Sequence, residues 1–302
     1  MVSPPAVPLP SGERVSLVWM DTRSYGAVFD TMADEYDRHR PGYPDELIDL
    51  ACRTAGLTAG DPVLEIGCGT GQLTRSLVAR ELHVTAVEPG ENMIAIAGRT
   101  SAGVQFVKQR FEDARLTAPF PAAFCASAFH WIDPDVSWRK VAASLAPGGL
   151  LALIQWCGVR DEQTAADADA LMAALAAAAP EIAVRWPPLR DLETIVTGVE
   201  ERRGNVSDVC AWVAGQPVAR PYAGALFDEA QISVVPSFIE QTADELGALF
   251  RTTSLYHRLA PAQRRTLQRE NAAIEERLGR PIRSSMLAVL VTARRPLDST
   301  PR

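Results

Sequence analysis

The chain has 302 residues, 47% hydrophobic and 22% charged, the mix of an ordinary globular protein long enough to bury a full core. Its formal net charge is −7, with Lys108 and Lys140 as its only lysines, which argues against a nucleic-acid partner, since such binders carry a basic face. Cys52, Cys68, Cys125, Cys157 and Cys210 are dispersed, with no Cys-x-x-Cys pair. That excludes an obvious disulfide framework or zinc site and makes a cytoplasmic location the expectation, and neither a signal peptide nor an apolar run of about 18 residues for a membrane span is visible.

In chain order, residues 1–20 are proline-rich and read as a flexible tail. Tyr25, Val28, Phe29, Met32, Ala33 and Tyr36 recur at helical spacing, and Arg40-Pro41-Gly42-Tyr43-Pro44 breaks that helix before a second one starts at Asp45. From Asp61 strands and helices alternate. The expected strands are 62–66, 83–87, 104–107, 122–128 and 150–156, with helices at 73–80, 92–97 and 134–145 between them. This is the pattern of a parallel sheet wrapped by helices. Residues 163–179 are alanine-rich and predict a surface or cap helix, whereas 180–230 show little periodicity. A strand at 232–239 interrupted by Pro236, helices near 243–254 and 261–278, and a last strand at 284–293 complete the chain.

The turn after the first strand reads Gly67-Cys68-Gly69-Thr70-Gly71. Alternate glycines let the backbone bend sharply and let a ligand approach it closely, at the carboxyl end of a strand where open α/β sheets bind ligands. A dinucleotide site would place glycine where Gln72 stands, to receive pyrophosphate at a helix N-terminus. Glu65, just before the turn, would repel pyrophosphate and suits a cationic ligand. Glu88 ends the second strand, where an acid commonly binds ribose hydroxyls.

These segments resemble class I S-adenosylmethionine-dependent methyltransferases, in the small-molecule (methyltransferase type 11/25-like) branch. Val63–Gly71 is similar to the first motif and Ala86-Val87-Glu88-Pro89 to the second. Asn92-Met93 resembles the start of the next helix, Phe111-Glu112-Asp113 the adenine-contacting segment, and Phe129–Pro134 and Leu145–Gly149 the fourth and fifth motifs. Tyr36–Pro44 resembles the N-terminal lid, and Ser254-Leu255-Tyr256 with Val291–Arg295 the C-terminal end. The likeness covers 25–157 well and 230–295 more weakly. Arg110 departs from it, because relatives often have a hydrogen-bond-accepting aspartate there and arginine cannot accept; Glu112 or a backbone carbonyl would then serve.

The resemblance implies an α/β Rossmann-like fold, with a seven-stranded, mostly parallel sheet, helices on both faces and a mostly helical lid. Lid helices would occupy 21–60, the cofactor-binding core 61–157, an inserted cap 158–230, and completing strands and cap helices 231–302. S-adenosylmethionine would be held by Glu65, Gly67, Cys68, Gly69, Gly71, Glu88, Pro89, Met93, Phe111, Glu112 and Phe129, with Arg40 pairing its carboxylate. His130 is the leading candidate for base or substrate orienter, with Tyr25 and Tyr36 beside the sulfonium. Trp131, Tyr43 and Tyr256 are candidates for contacting a small-molecule acceptor. No metal, membrane or nucleic-acid partner is expected, and the protein would be a monomer or homodimer. The implied reaction is methyl transfer to carbon, nitrogen or oxygen of a small acceptor in specialised metabolite biosynthesis. The rivals are a non-catalytic S-adenosylmethionine-binding regulator and a nicotinamide-dependent oxidoreductase.

Overall fold

In the computed structural model, which describes residues 28–297 apart from 118, 185 and 216–219, the apolar segments after Asp61 assemble into one sheet. Strands β1 (Pro62–Ile66), β2 (His83–Val87), β3 (Gln105–Val107), β4 (Phe120–Ala126) and β5 (Leu145–Gly158) are parallel. Strand β7 (Ile282–Arg294) runs antiparallel between β5 and β6 (Gln231–Gln241), giving the order β3-β2-β1-β4-β5-β7-β6. The chain moves outward from β1 to β2 and β3, then returns to β4 on the other side of β1. The carboxyl ends of β1 and β4 therefore flank the point where strand order reverses, the place where open α/β sheets form a crevice.

The sheet is buried on both faces. Leu64, Ile66, Ala123, Cys125, Leu151 and Leu153 enter one core, and Val63, Ala86, Ala122, Phe124, Ala152 and Ile154 the other. This alternation with no polar face is what a sheet covered by helices on both sides requires. Helices α2 (Asp45–Ala55) and α3 (Gln72–Val78) supply Leu47, Ile48, Leu73 and Leu77 to the second core, and α5 (Pro134–Ser144) supplies Trp138 and Val141 to the first. The other early helices are α1 (Ala33–His39) and α4 (Glu91–Thr100). Among the described residues no helix is long and apolar enough to cross a membrane.

Several boundaries differ from the sequence expectation for identifiable reasons. β4 ends at Ala126, not 128, because Ser127 takes a left-handed conformation (φ 51°). β6 runs unbroken through Pro236, since it is the edge strand, where a missing N–H is tolerated. Residues 180–230 are more ordered than their periodicity suggests. They form α7 (Pro180–Ala183), α8 (Leu192–Glu200) and α9 (Val206–Val213). The Asp191 and Asn205 side chains cap α8 and α9, a local signal present in the sequence.

The alanine-rich helix α6 (Ala165–Ala178) packs through Ala174, Leu175 and Ala178 against Leu267 and Ile274 of α12 (Pro261–Leu278). Helices α10 (Ala243–Arg251) and α11 (Ser254–Arg258) lead into α12. One ionic contact pins this layer to the sheet. The buried Asp167 carboxylate accepts from Arg280 Nη1 and Nη2 at 2.7 and 2.9 Å and from the Arg283 amide at 2.7 Å. The Arg280 guanidinium holds the Asp167 carboxyl below the usual aspartate range.

Removing this carboxylate leaves Arg280, which is one-third exposed, without its partner. Asp167→Ala is expected to lower stability by about 2–3 kcal/mol, read as a lower urea midpoint at unchanged m-value. A depressed carboxyl pKa stabilises the fold above the unfolded-state value, and that contribution is lost as pH falls through the folded-state value. The stability gap between wild type and Asp167→Asn should therefore close on acidification.

Candidate active site

The turn leaving β1 holds left-handed backbone at Gly67, Gly69 and Gly71. At Gly67 a Cβ atom would lie 2.5 Å from Ala128 Cβ, so only glycine lets the turn pass under the end of β4. At Gly71 (φ 92°) a Cβ would lie 3.1 Å from Ala97 Cβ, which brings α3 and α4 together. The turn is tied to the end of β2 by Glu88. Its Oε2 accepts from the Gly69 amide at 3.0 Å and its Oε1 from the Gly90 amide at 2.9 Å. Burial raises the Glu88 pKa against those two hydrogen bonds.

Asp30 closes the next gap. Helix α4 has no side-chain cap of its own, and Asp30 Oδ1 accepts from the Asn92 and Met93 amides at 2.8 and 3.1 Å. An acid at a helix N-terminus is favoured by the exposed N–H groups and the helix dipole. The lid is also fastened at Arg40, whose Nε and Nη2 donate to Thr252 Oγ1 and O at 3.0 and 2.7 Å, and whose guanidinium lies 5.1 Å from the Tyr36 ring centroid. Trp156 Nε1 donates to Gly42 O and the Tyr43 hydroxyl to Ser127 Oγ, both at 3.0 Å. These bonds roof a cavity of about 860 Å³ over the strand ends, within the ordinary range for small-molecule sites.

Two buried polar atoms in its wall lack partners. Glu65 Oε2 and Gln72 Nε2 have no hydrogen bond among the described residues, and both side chains line the cavity. Burial pushes the Glu65 carboxyl up to about 7, with Glu88 adding to the rise. His130 also lines the cavity; burial and then Arg40 push its pKa down to about 4. Its imidazole is neutral at neutral pH. Burial also raises the Tyr36 and Tyr43 hydroxyls, so both stay protonated.

The structure brings most of the sequence-derived residues to this one cavity. Glu65, Gly67, Cys68, Gly69, Glu88, Pro89, Met93, Phe111, Glu112, Arg40, His130, Tyr36, Trp131 and Tyr43 all line it. Three do not reach it. Gly71 packs on Ala97. Phe129 turns into the core, its ring 4.6 Å from that of Trp138. Tyr256 is held by Phe250 and by the Arg264 guanidinium, 4.5 Å from its ring. Tyr25 lies outside the described residues. The Glu112 carboxylate is engaged by Arg110 at 2.6 Å and by the Asp133 amide at 3.1 Å, so Arg110 neutralises the acid beside it.

Sequence reading missed Asp30, Ser127, Trp156, Cys157, the stretch 186–190 and Val213–Gly215, all of which line the cavity. All of them depend on tertiary placement that spacing along the chain does not display.

S-adenosylmethionine fits the residues at the β1 end. A buried acceptor without a partner (Glu65 Oε2) and a buried donor without one (Gln72 Nε2) match the ammonium and carboxylate of its amino-acid end. The carboxylates of Glu65, Glu88 and Asp30 disfavour a pyrophosphate there.

Residues 63–149 match the family model described as "Methyltransferase domain". An uncharacterized methyltransferase of Mycobacterium tuberculosis is 35% identical over 142 residues, which cover 47% of this chain and 56% of that protein. The chain thus spans about half the length of the curated relatives it matches. A trans-aconitate 2-methyltransferase of Methylobacterium nodulans is 33% identical over 108 residues, 35% of this chain and 42% of that enzyme, too little to carry its acceptor across. A solved structure from Anaeromyxobacter dehalogenans, assigned as a type II methyltransferase, has 25% identity and a TM-score of 0.55 over 85% of this chain and 97% of its own. The seven-stranded sheet, the acid-flanked glycine turn and these matches together establish that the chain carries a class I S-adenosylmethionine-dependent methyltransferase domain.

Proposed function

We propose that this chain transfers the methyl group of S-adenosylmethionine to a small-molecule acceptor in specialised metabolism. The carrying observation is the pair of buried atoms without partners among the described residues, Glu65 Oε2 and Gln72 Nε2, in the wall of a cavity that also includes His130 and Arg190. A cavity of this size supports a small acceptor over a macromolecule.

When bound, S-adenosylmethionine supplies a methyl group already activated on a sulfonium. The chain's own residues bind, orient and exclude water. In this reading Glu65 receives the ammonium, Gln72 and Arg40 the methionine carboxylate, and Glu88 the ribose hydroxyls, exchanging or sharing its bonds to Gly69 and Gly90. Met93, Phe111 and the neighbouring backbone enclose the base. Tyr36 and Trp131 wall the methyl position. His130, uncharged, accepts a hydrogen bond from the acceptor and orients it; at about 4 its pKa is too low for efficient general-base catalysis at neutral pH.

Three measurements test this reading. Calorimetry should show S-adenosylhomocysteine binding to the wild type and about tenfold or greater weakening in Glu88→Ala, the size of a lost hydrogen bond to a charged group; absence of binding of both S-adenosylmethionine and S-adenosylhomocysteine to the wild type refutes the proposal.

Second, a cationic ligand selects ionised Glu65. Binding should strengthen as pH rises through about 7 and release a proton below that, seen as a buffer-dependent heat that Glu65→Gln abolishes. The free protein has the opposite sign. A raised carboxyl pKa stabilises the fold at low pH, and that contribution is lost as pH rises through about 7. Glu65→Gln should therefore be more stable than wild type at pH ~8, by on the order of 1–3 kcal/mol, while binding the ligand less well.

Third, kcat at saturating S-adenosylmethionine should be flat in the range where an ordinary histidine titrates, near pH 6.5. His130→Gln should reduce it by about 10–100-fold without changing that flat shape. A limb near 6.5 that disappears in His130→Gln would make the residue a base instead.

A further inference from the structure

The cavity wall also carries a cation, Arg190, with no carboxylate partner among the described residues. Arg190 lines the cavity just before α8. Its Nη2 donates to the Trp212 and Val213 carbonyls at 2.7 and 3.3 Å, and its guanidinium lies 4.2 Å from the Trp212 ring centroid. Trp212 is fixed in turn. Its Nε1 donates to Ile195 O at 3.0 Å, and its ring lies where a Cβ on Gly198 would be, 2.1 Å away at the nearest atom. Arg190 is therefore held in one orientation by two carbonyls and an aromatic face, with its remaining N–H groups unassigned among the described residues.

The other charges in the wall are already accounted for. Arg110 is paired with Glu112, and Arg40, bonded to Thr252, is the cation that the proposed reading assigns to the carboxylate of the cofactor. Glu65, Glu88 and Asp30 stand at the cofactor end. The titratable neighbours of Arg190 are the Cys157 thiol, pushed up to about 11 by burial and neutral, and the Arg202 guanidinium, which lies 4.3 Å from the same Trp212 ring and is a cation itself. Around Arg190 the wall is apolar: Trp156, Trp186, Pro187, Leu189 and Val213. Trp186 is 42% exposed. A half-buried guanidinium without a counter-ion is costly unless a ligand supplies one, and its planar fork matches a carboxylate.

We propose that Arg190 is the anchor for an organic carboxylate, and that the methyl acceptor is a small carboxylic acid whose apolar body lies along Trp156, Trp186 and Leu189. With Arg40 assigned to the cofactor carboxylate, Arg190 is the cation left among the described lining residues to balance a single negative charge, which favours a monocarboxylate over a phosphate dianion. Arg190 is a binding and specificity residue; the proton and methyl movements take place elsewhere, next to His130. The inference rests on the methyltransferase reading, and its test separates the two.

Calorimetry is performed with benzoate, phenylacetate, cinnamate and hexanoate, each against its own neutral amide, with and without saturating S-adenosylhomocysteine. At least one acid should bind about tenfold or more tightly than its amide, the scale of a charge-assisted hydrogen bond. Arg190→Met should erase that preference and Arg190→Lys retain part of it, both at unchanged affinity for S-adenosylhomocysteine, which also reports that the variants are folded. If no acid binds better than its amide in the wild type, or if the preference survives Arg190→Met, the proposal is overturned. Failure of S-adenosylhomocysteine to bind counts against the cofactor reading alone, because the acid–amide comparison stands without it.

Discussion

A carboxylate buried at the end of a central strand, with one oxygen unsatisfied, is the constraint around which the rest of this molecule is arranged. Glu65 is 1% exposed, and taking an ionised carboxylate out of water without a partner is among the more costly things a fold can do. The protein tolerates it partly by letting the group hold its proton at near-neutral pH. The same feature makes the wall selective. A ligand that presents a cation relieves the cost, and one that presents phosphate adds to it. Under the proposed function, stability of the free protein and affinity for the cofactor are set against each other at this one residue.

The neighbouring groups prepare the site without adding strain of their own. Glu88 holds the Gly69 and Gly90 amides, so the backbone that must lie close to the ligand is already in place. Asp30 satisfies the amides at the start of α4, which ties the lid to the sheet at the point where the nucleoside would lie. Arg40 and Thr252 join the same lid to the C-terminal layer. Glu35 adds a salt bridge to Arg251 at 2.6 Å. Such partly exposed contacts are individually weak. A lid fastened by several of them can open a few at a time, as admission of a ligand to a roofed cavity requires.

Much of this was legible in the sequence because its determinants are local. The Gly67–Gly71 turn, the acid just before it and the strand–helix alternation each depend on residues a few positions apart. The sheet and the cofactor end of the cavity follow from them. What was not legible depends on long-range packing. Phe129 and His130 are adjacent, and nothing in their order says that one enters the core and the other the cavity; that follows from the single turn of 3₁₀ helix over Phe129–Trp131. Tyr256 was misplaced because its neighbours Phe250 and Arg264 come from two different helices. Gly71 matched the motif yet serves helix packing. The sequence pattern marked the turn but did not separate the glycines that face a ligand from the one that faces Ala97.

The Arg190 end of the cavity shows the same division in energetic terms. Its wall comes from residues 186–190 and 213–215, outside the 63–149 segment shared with the methyltransferase family. Its rigidity comes from one close contact, the seating of Trp212 on Gly198. A larger residue at 198 would displace the indole, and with it the ring face and carbonyl that orient Arg190. The cofactor end touches none of these atoms. Substitutions in the inserted segment can therefore alter the charge and shape offered to an acceptor while leaving Glu65, Gln72 and Glu88 undisturbed, since sites that share no partners vary nearly independently. The charge and shape of the Arg190 end of the cavity are consequently set by residues 186–190 and 213–215, and those of the glycine-turn end by the sheet.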